Sequence, residues 1–138
     1  MFGVNSDGID VDSSSDVTIE RMFIQCDDDS VAIKSGMQAA GQEFGVPTRN
    51  VTVHDSVLIS NGFAIGSECS GGCEDIVLQN SVVSDANGSA SFLVILKSAK
   101  GRGGYIRNLL VHNVTGARMA DANQASNGIG VRFDLESS

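Results

Sequence analysis

Four times along the chain an Asp or Asn is followed by aliphatic, any residue, aliphatic: Asp16-Val17-Thr18-Ile19, Asn50-Val51-Thr52-Val53, Asp75-Ile76-Val77-Leu78 and Asn108-Leu109-Leu110-Val111. The steps between these anchors are 34, 25 and 33 residues, so the basic unit is about 25 residues with insertions, which is a solenoid period. A second short apolar run follows each anchor: Ser30–Ile33, Gly62–Ile65, Ser91–Leu96 and Gly128–Phe133. Turns rich in Gly, Asn, Asp and Ser separate the runs, and these residues accept left-handed backbone or bond their own main chain. Two or three short strands per turn of a coil predict an all-β parallel β-helix, each coil pairing with its neighbours and stacking its inward side chains into a column. A β-sandwich has strands of similar length but no need for the Asp or Asn before each first strand. Those anchors are expected to form a structural ladder. The insertions Met37–Pro47 and Ser84–Ala90 are expected to rise as loops on one face, where solenoids commonly bind ligands.

Composition supports this reading. The chain has 138 residues, with 16 Gly, 1 Pro and no Trp, and its size suits one domain, 1–138. Nine basic against seventeen acidic side chains leave a net charge of −8, which excludes a nucleic-acid partner, because phosphate binding needs a basic face. No run of eighteen apolar residues is present, so no membrane-spanning helix is expected, and the first residues lack the pattern of a secretory leader. Of the three cysteines, Cys69 and Cys73 can close a small loop disulfide, or all three, with Cys26, serve as small apolar fillers. His54 and His112 lack the spacing of a zinc ligand pair. Asn50, Asn87 and Asn113 open formal glycosylation triplets, which arise often by chance.

The chemistry-bearing stretches are Asn5-Ser6-Asp7-Gly8-Ile9-Asp10 and Cys26-Asp27-Asp28-Asp29. Placed on adjacent coils, Asp7, Asp28 and Asp29 stack on one face about 4.8 Å apart. Glycosidic cleavage needs one carboxyl to protonate the leaving oxygen and a second to act on the other side. Like-charge repulsion in such a group favours keeping one member protonated. The competing readings are a solvated acidic turn and a calcium site, which also wants clustered oxygens.

Asn5–Asp10, Asp28–Gly36, Ile65-Gly66-Ser67-Glu68 with Ser70-Gly71-Gly72, and Gly101-Arg102-Gly103-Gly104-Tyr105 together resemble the polygalacturonases of glycoside hydrolase family 28, over residues 5 to about 117. The resemblance implies a right-handed parallel β-helix, a pectic polysaccharide substrate, inverting hydrolysis without a metal or other cofactor, and secretion. By position it implies Asp28 as general acid, Asp7 and Asp29 as the pair that activates water, Asn5 as an orienting residue and Lys97 as the group that binds a substrate carboxylate. Asn61 and Arg102 join the substrate-binding candidates.

Two positions depart from the family pattern. Its histidine falls near Ser60 or Asn61, and its arginine two residues before the lysine is Ile95 here. An isoleucine cannot grip a carboxylate as a guanidinium fork does; Lys34, Lys100 or Arg102 are the candidates to compensate, though Lys34 and Arg102 can equally pair with acidic neighbours. Family members carry several coils before the first motif, so the chain reads as part of a longer solenoid. The whole protein is expected to be a monomer, with exposed coil ends prone to associate in a fragment. The departures keep three rivals open: a rhamnogalacturonan-type hydrolase, an inactive carbohydrate-binding β-helix, and a calcium-dependent lyase on a similar fold.

Overall fold

The computed structural model describes residues 4–85, 93–118 and 131–136. The chain winds as a right-handed parallel β-helix in which, among the described residues, every strand pairing is parallel. One sheet stacks β1 (Ile9–Asp12), β4 (Asp29–Lys34), β7 (Gly62–Ile65), β9 (Val94–Ala99) and β11 (Val131–Glu136). The other carries β2 (Ser15–Glu20), β3 (Phe23–Gln25), β5 (Thr48–His54), β6 (Val57–Ile59), β8 (Cys73–Asp85) and β10 (Ile106–Arg118). Of the expected second strands, β9 begins at Val94 with Leu93 outside it, and residues 91–92 and 128–130 lie outside the described part.

Register turns the alternation of side chains into columns. In the first sheet Ile9, Val31, Phe63 and Val94 align, as do Val11, Ile33, Ile65 and Leu96. In the second, Val17, Val51, Ile76 and Leu109 align beside Ile19, Val53, Leu78 and Val111. These β-branched and aliphatic residues point inward and form one continuous core, with Phe63 its largest fully buried member. The other side chains of the first sheet face outward, and the site lies there.

The four anchors are corners. Asp16, Asn50, Asp75 and Asn108 all have φ between +53° and +60°, the left-handed region that Asp and Asn tolerate best. Their side chains form the expected ladder across coils: Asn50 Nδ2 donates to Asp16 Oδ1 at 2.6 Å and Asn108 Nδ2 to Asp75 Oδ1 at 2.9 Å. A second line of left-handed residues, Arg21, Asp55, Asn80 and Asn113, turns each coil again, and there Asn113 Nδ2 donates to Asn80 Oδ1 at 2.9 Å. The amide nitrogens of Asn50 and Asn113 are therefore engaged between coils; Asn87 lies outside the described residues.

The insertion Met37–Pro47 is a helix rather than a loop: α1 (Gln38–Phe44) ends at Gly45, whose φ of 60° caps it. Ala39, Ala40, Gln42 and Glu43 favour helix, and Pro47 follows the cap. The strand signal of the surrounding chain hid this one short element. In the second insertion, β8 runs on to Asp85, and residues 86–90 lie outside the described part. No described helix is long and apolar enough to cross a membrane.

Candidate active site

The outward end of the first sheet brings Asp7, Asp28 and Asp29 together. One carboxylate oxygen from each lies within 4.8 Å of the other two. Backbone pairing does this: Gly8 N–H donates to Asp29 O at 2.9 Å and Asp28 N–H to Ser6 O at 3.2 Å, which sets the loop before β1 against the start of β4. Gly8 is required for that closeness, since a Cβ there would lie 2.5 Å from Ser30 O. The Asp29 amide also donates to Asp7 Oδ1 at 3.1 Å, tying the two carboxylate-bearing segments directly.

Each carboxylate has its own surroundings. Asp28 accepts from Asn61 Nδ2 at 3.2 Å, and its carbonyl accepts from the Asn61 amide, so Asn61 clamps it from the next coil. Asp29 is buried, with Lys97 Nζ 2.5 Å from Oδ2, while its Oδ1 receives no protein hydrogen bond among the described residues. Burial pushes the Asp29 carboxyl above its ordinary value; Lys97 opposes the rise without cancelling it, and the charges of Asp28 and Asp7 add to it. For Asp7 burial acts the same way, but the Lys34 ammonium 2.9 Å from Oδ2 and the Asp29 amide outweigh it and hold the carboxyl below its ordinary value. Environment thus separates these two acids: desolvation is the leading cause for Asp29, and like-charge repulsion is secondary.

Lys34 reaches further than its sequence position suggests. It lies 2.9 Å from Asp10 as well as from Asp7, and 4.0 Å from Glu68. Burial opposes its charge, but the bonds to Asp10 and Asp7 win and raise its pKa. Glu68 is faced from the other side by Arg102, whose Nη1 lies 3.6 Å away. Gln42 of α1 donates to the carbonyls of Gly101 and Arg102 at 3.0 and 2.9 Å, fixing that loop. Sequence reasoning missed Glu68, Asp10 and Gln42 as parts of the site, because their partners lie up to 60 residues away and no local spacing marks them.

The remaining candidates sit as follows. The Asn5 amide donates to Asp27 Oδ2 at 3.2 Å, and its φ of 56° bends the chain into Asp7. Asn61 stands against Asp28, with Oδ1 of that acid accepting from its Nδ2. Lys97 lines a cavity of about 160 Å³ with Cys69, Gly104 and Tyr105. Cys69 and Cys73 form a disulfide with a Cα separation of 6.1 Å, closing the loop beneath Gly104, and Cys26 is free and buried. The acidic trio is the described oxygen cluster suited to a cation, yet the ammonium groups of Lys34 and Lys97 already balance Asp7 and Asp29 there.

The chain thus stacks carboxylates and lysines on the outward sheet face of a parallel β-helix. The description Glycosyl hydrolases family 28 matches residues 3–132, and the chain belongs to that family. It is 34% identical over 114 residues to a probable polygalacturonase of Vitis vinifera, covering 80% of this chain and 22% of that protein. It is 35% identical over 113 residues to an endo-polygalacturonase of Pectobacterium parmentieri, covering 80% of this chain and 25% of that protein. The crystal structure of a hyperthermoactive exopolygalacturonase from Thermotoga maritima superposes with a TM-score of 0.70 at 30% identity, over 98% of this chain and 34% of that one. The chain therefore spans about a quarter or less of the length of the curated relatives it matches.

Proposed function

We propose that the chain carries the catalytic centre of a secreted, pectin-degrading glycoside hydrolase. The observation that supports this most directly is the meeting of Asp7, Asp28 and Asp29 within 4.8 Å, with Lys97 on Asp29. In this reading Asp28, the less buried member of the pair, donates a proton to the glycosidic oxygen as the bond from that oxygen to the anomeric carbon breaks. Asp7 and Asp29 take the proton of the water whose oxygen forms the new bond to that carbon. Asp29 Oδ1, buried and without a protein donor, is an acceptor for such a water. Lys97 binds the carboxylate of a uronate, and Asn5, Asn61 and Arg102 shape the groove around it. The Cys69–Cys73 disulfide supports an oxidising, extracellular setting. No cofactor enters the reaction, and the whole protein acts as a monomer.

The test is reducing-end release from pectic polymers by the parent and by Asp28→Asn. Release by the parent and a loss of about 10³-fold or more in the variant is expected, since an amide fills the space but donates no usable proton. Undiminished turnover in Asp28→Asn would sink the assignment. A second stereochemical reading has one observation in its favour. The family resemblance implies inversion, whereas carboxyl separations of roughly 6.5–9.5 Å accompany inversion and roughly 5–5.5 Å retention. One oxygen of each of the three carboxylates lies within 4.8 Å of the others, a close approach that a carboxylate nucleophile also needs. Proton NMR of the first-formed product distinguishes the two: the opposite anomer is expected, and the same anomer would make a carboxylate the nucleophile.

A further inference from the structure

We propose that Tyr105 is a further substrate-contacting residue, the wall on which a sugar unit beside Lys97 rests, and that Glu74 and Arg107 are the positioning residues that hold it there. This rests on the hydrolase reading and deepens it. Tyr105 is 42% exposed, yet it is fastened from several sides. Its carbonyl accepts from the Cys73 amide at 2.7 Å, and its ring lies so close to Gly72 that a Cβ there would stand 2.5 Å from two ring carbons. Its hydroxyl donates to Glu74 Oε2 at 3.1 Å, and Arg107 donates to the same oxygen through Nε at 2.6 Å and again through Nη2. The guanidinium carbon of Arg107 also lies 4.8 Å from the ring centroid, within cation–π range.

The coil itself has no need of this clamp. Ser15, Arg49, Glu74 and Arg107 align across four coils, and in that column Ser15, Arg49 and Arg107 are exposed while Glu74 is buried. Arg49, aligned with Glu74 from the other side, makes no hydrogen bond or ion pair with it, so the donors that satisfy the buried acid are those of Tyr105 and Arg107. A buried carboxylate costs desolvation unless donors meet it, and here the donors that meet it fix an aromatic ring. Toward the site, Tyr105 lines the cavity of about 160 Å³ together with Lys97, Ser98 and Gly104, and Lys97 is the ammonium bonded to Asp29. A ring beside an ammonium gives a uronate an apolar contact and a charge at once. A ring that is already fixed gives up little rotamer freedom on binding, so more of its contact appears as affinity.

Tyr105 is the one Tyr of a chain without Trp, so tyrosine emission reports on this residue alone. Trigalacturonate titrated into Asp28→Asn, which in this reading binds without turnover, is expected to change that emission saturably. An unchanged emission overturns the inference whether or not the parent releases reducing ends, which separates its failure from that of the hydrolase reading. Calorimetry in the same background is expected to give a Kd raised about threefold by Tyr105→Phe and about tenfold by Tyr105→Ala, the range of one aromatic contact. Glu74→Ala is expected to match Tyr105→Phe, Glu74→Gln to recover most of the affinity because it keeps an acceptor, and the Glu74→Ala, Tyr105→Phe double variant to lose no more than either alone. In the parent background the same losses are expected in KM on polygalacturonate, with kcat held within about twofold. A lower Tm in Glu74→Ala with Kd unmoved, or losses that add in the double variant, would make the clamp purely structural and overturn the positioning role. If Glu74→Ala does not fold, an unmoved Kd in Tyr105→Phe overturns it instead.

Discussion

Lys97 Nζ lies 2.5 Å from Asp29 Oδ2, although 68 residues separate the two along the chain. Asp29 is the buried carboxylate of the trio, and Lys97 is the charge that keeps it ionisable. Lys97→Met removes that charge and leaves burial unopposed, so the Asp29 carboxyl rises further. A base must be ionised to work, and activity falls as pH drops through its pKa. The acid limb of the pH–rate profile is therefore expected to move to higher pH in Lys97→Met, with a higher KM for uronate substrates. An unmoved limb would show that Asp29 does not act as a base.

Lys34 and Asp7 form a pair whose effect on stability has a defined pH window. The folded Lys34 pKa lies above 10.5, so its contribution is present below that value and lost as pH rises through the folded pKa. The folded Asp7 pKa lies below 3.8, so its contribution is present above that value and lost as pH falls through the folded pKa. Between these limits Lys34→Met is expected to destabilise by about 1–3 kcal/mol, chiefly because Asp7 loses its donor in a partly buried position, whereas Asp10 is exposed. Urea denaturation from pH 3 to pH 11 checks this: the gap between parent and variant should hold steady across the middle of the range and only begin to narrow at its two ends.

Gly104 and Gly101 separate steric from conformational cost within one loop. Both have positive φ, +72° and +85°, but a Cβ on Gly104 would lie 1.8 Å from Cys69 O while one on Gly101 meets nothing within 4 Å. Gly104→Ala is expected to cost about 3 kcal/mol or more, combining overlap with backbone strain. Gly101→Ala should cost about 1–2 kcal/mol from the left-handed backbone alone. Equal losses in denaturant unfolding would mean that the disulfide loop yields freely.

Arg21 is the left-handed corner filled by a residue poorly suited to it, with φ of 52° in a column otherwise occupied by Asp55, Asn80 and Asn113. Its ion pair with Glu20 is largely exposed and contributes little. Arg21→Asn is expected to raise stability by about 0.5–1 kcal/mol. Thermal unfolding would register this as a higher Tm with activity unchanged, and a lower Tm would show that Arg21 has a role the corner does not explain.

The sequence alone determined the coil. An Asp or Asn before each aliphatic triplet marks a left-handed corner, a local preference of one residue's backbone, and the alternation behind it sorts each strand into inward and outward sides. Asp7, Asp28 and Asp29 were legible for the same reason, because pairing between adjacent coils follows from the period. Helix α1 was obscured by the strand signal around it, and the sequence did not show that the Asp29 amide reaches Asp7. Only the tertiary structure decided the partners that cross several coils: Lys97 with Asp29, Arg102 with Glu68, Gln42 with the Gly101–Arg102 backbone. Such contacts depend on where a coil's insertions stand once the stack is built, and on the burial that raises Asp29 while Lys34 lowers Asp7. Burial and charge at a point in space are sums over the whole fold, and no stretch of sequence carries them.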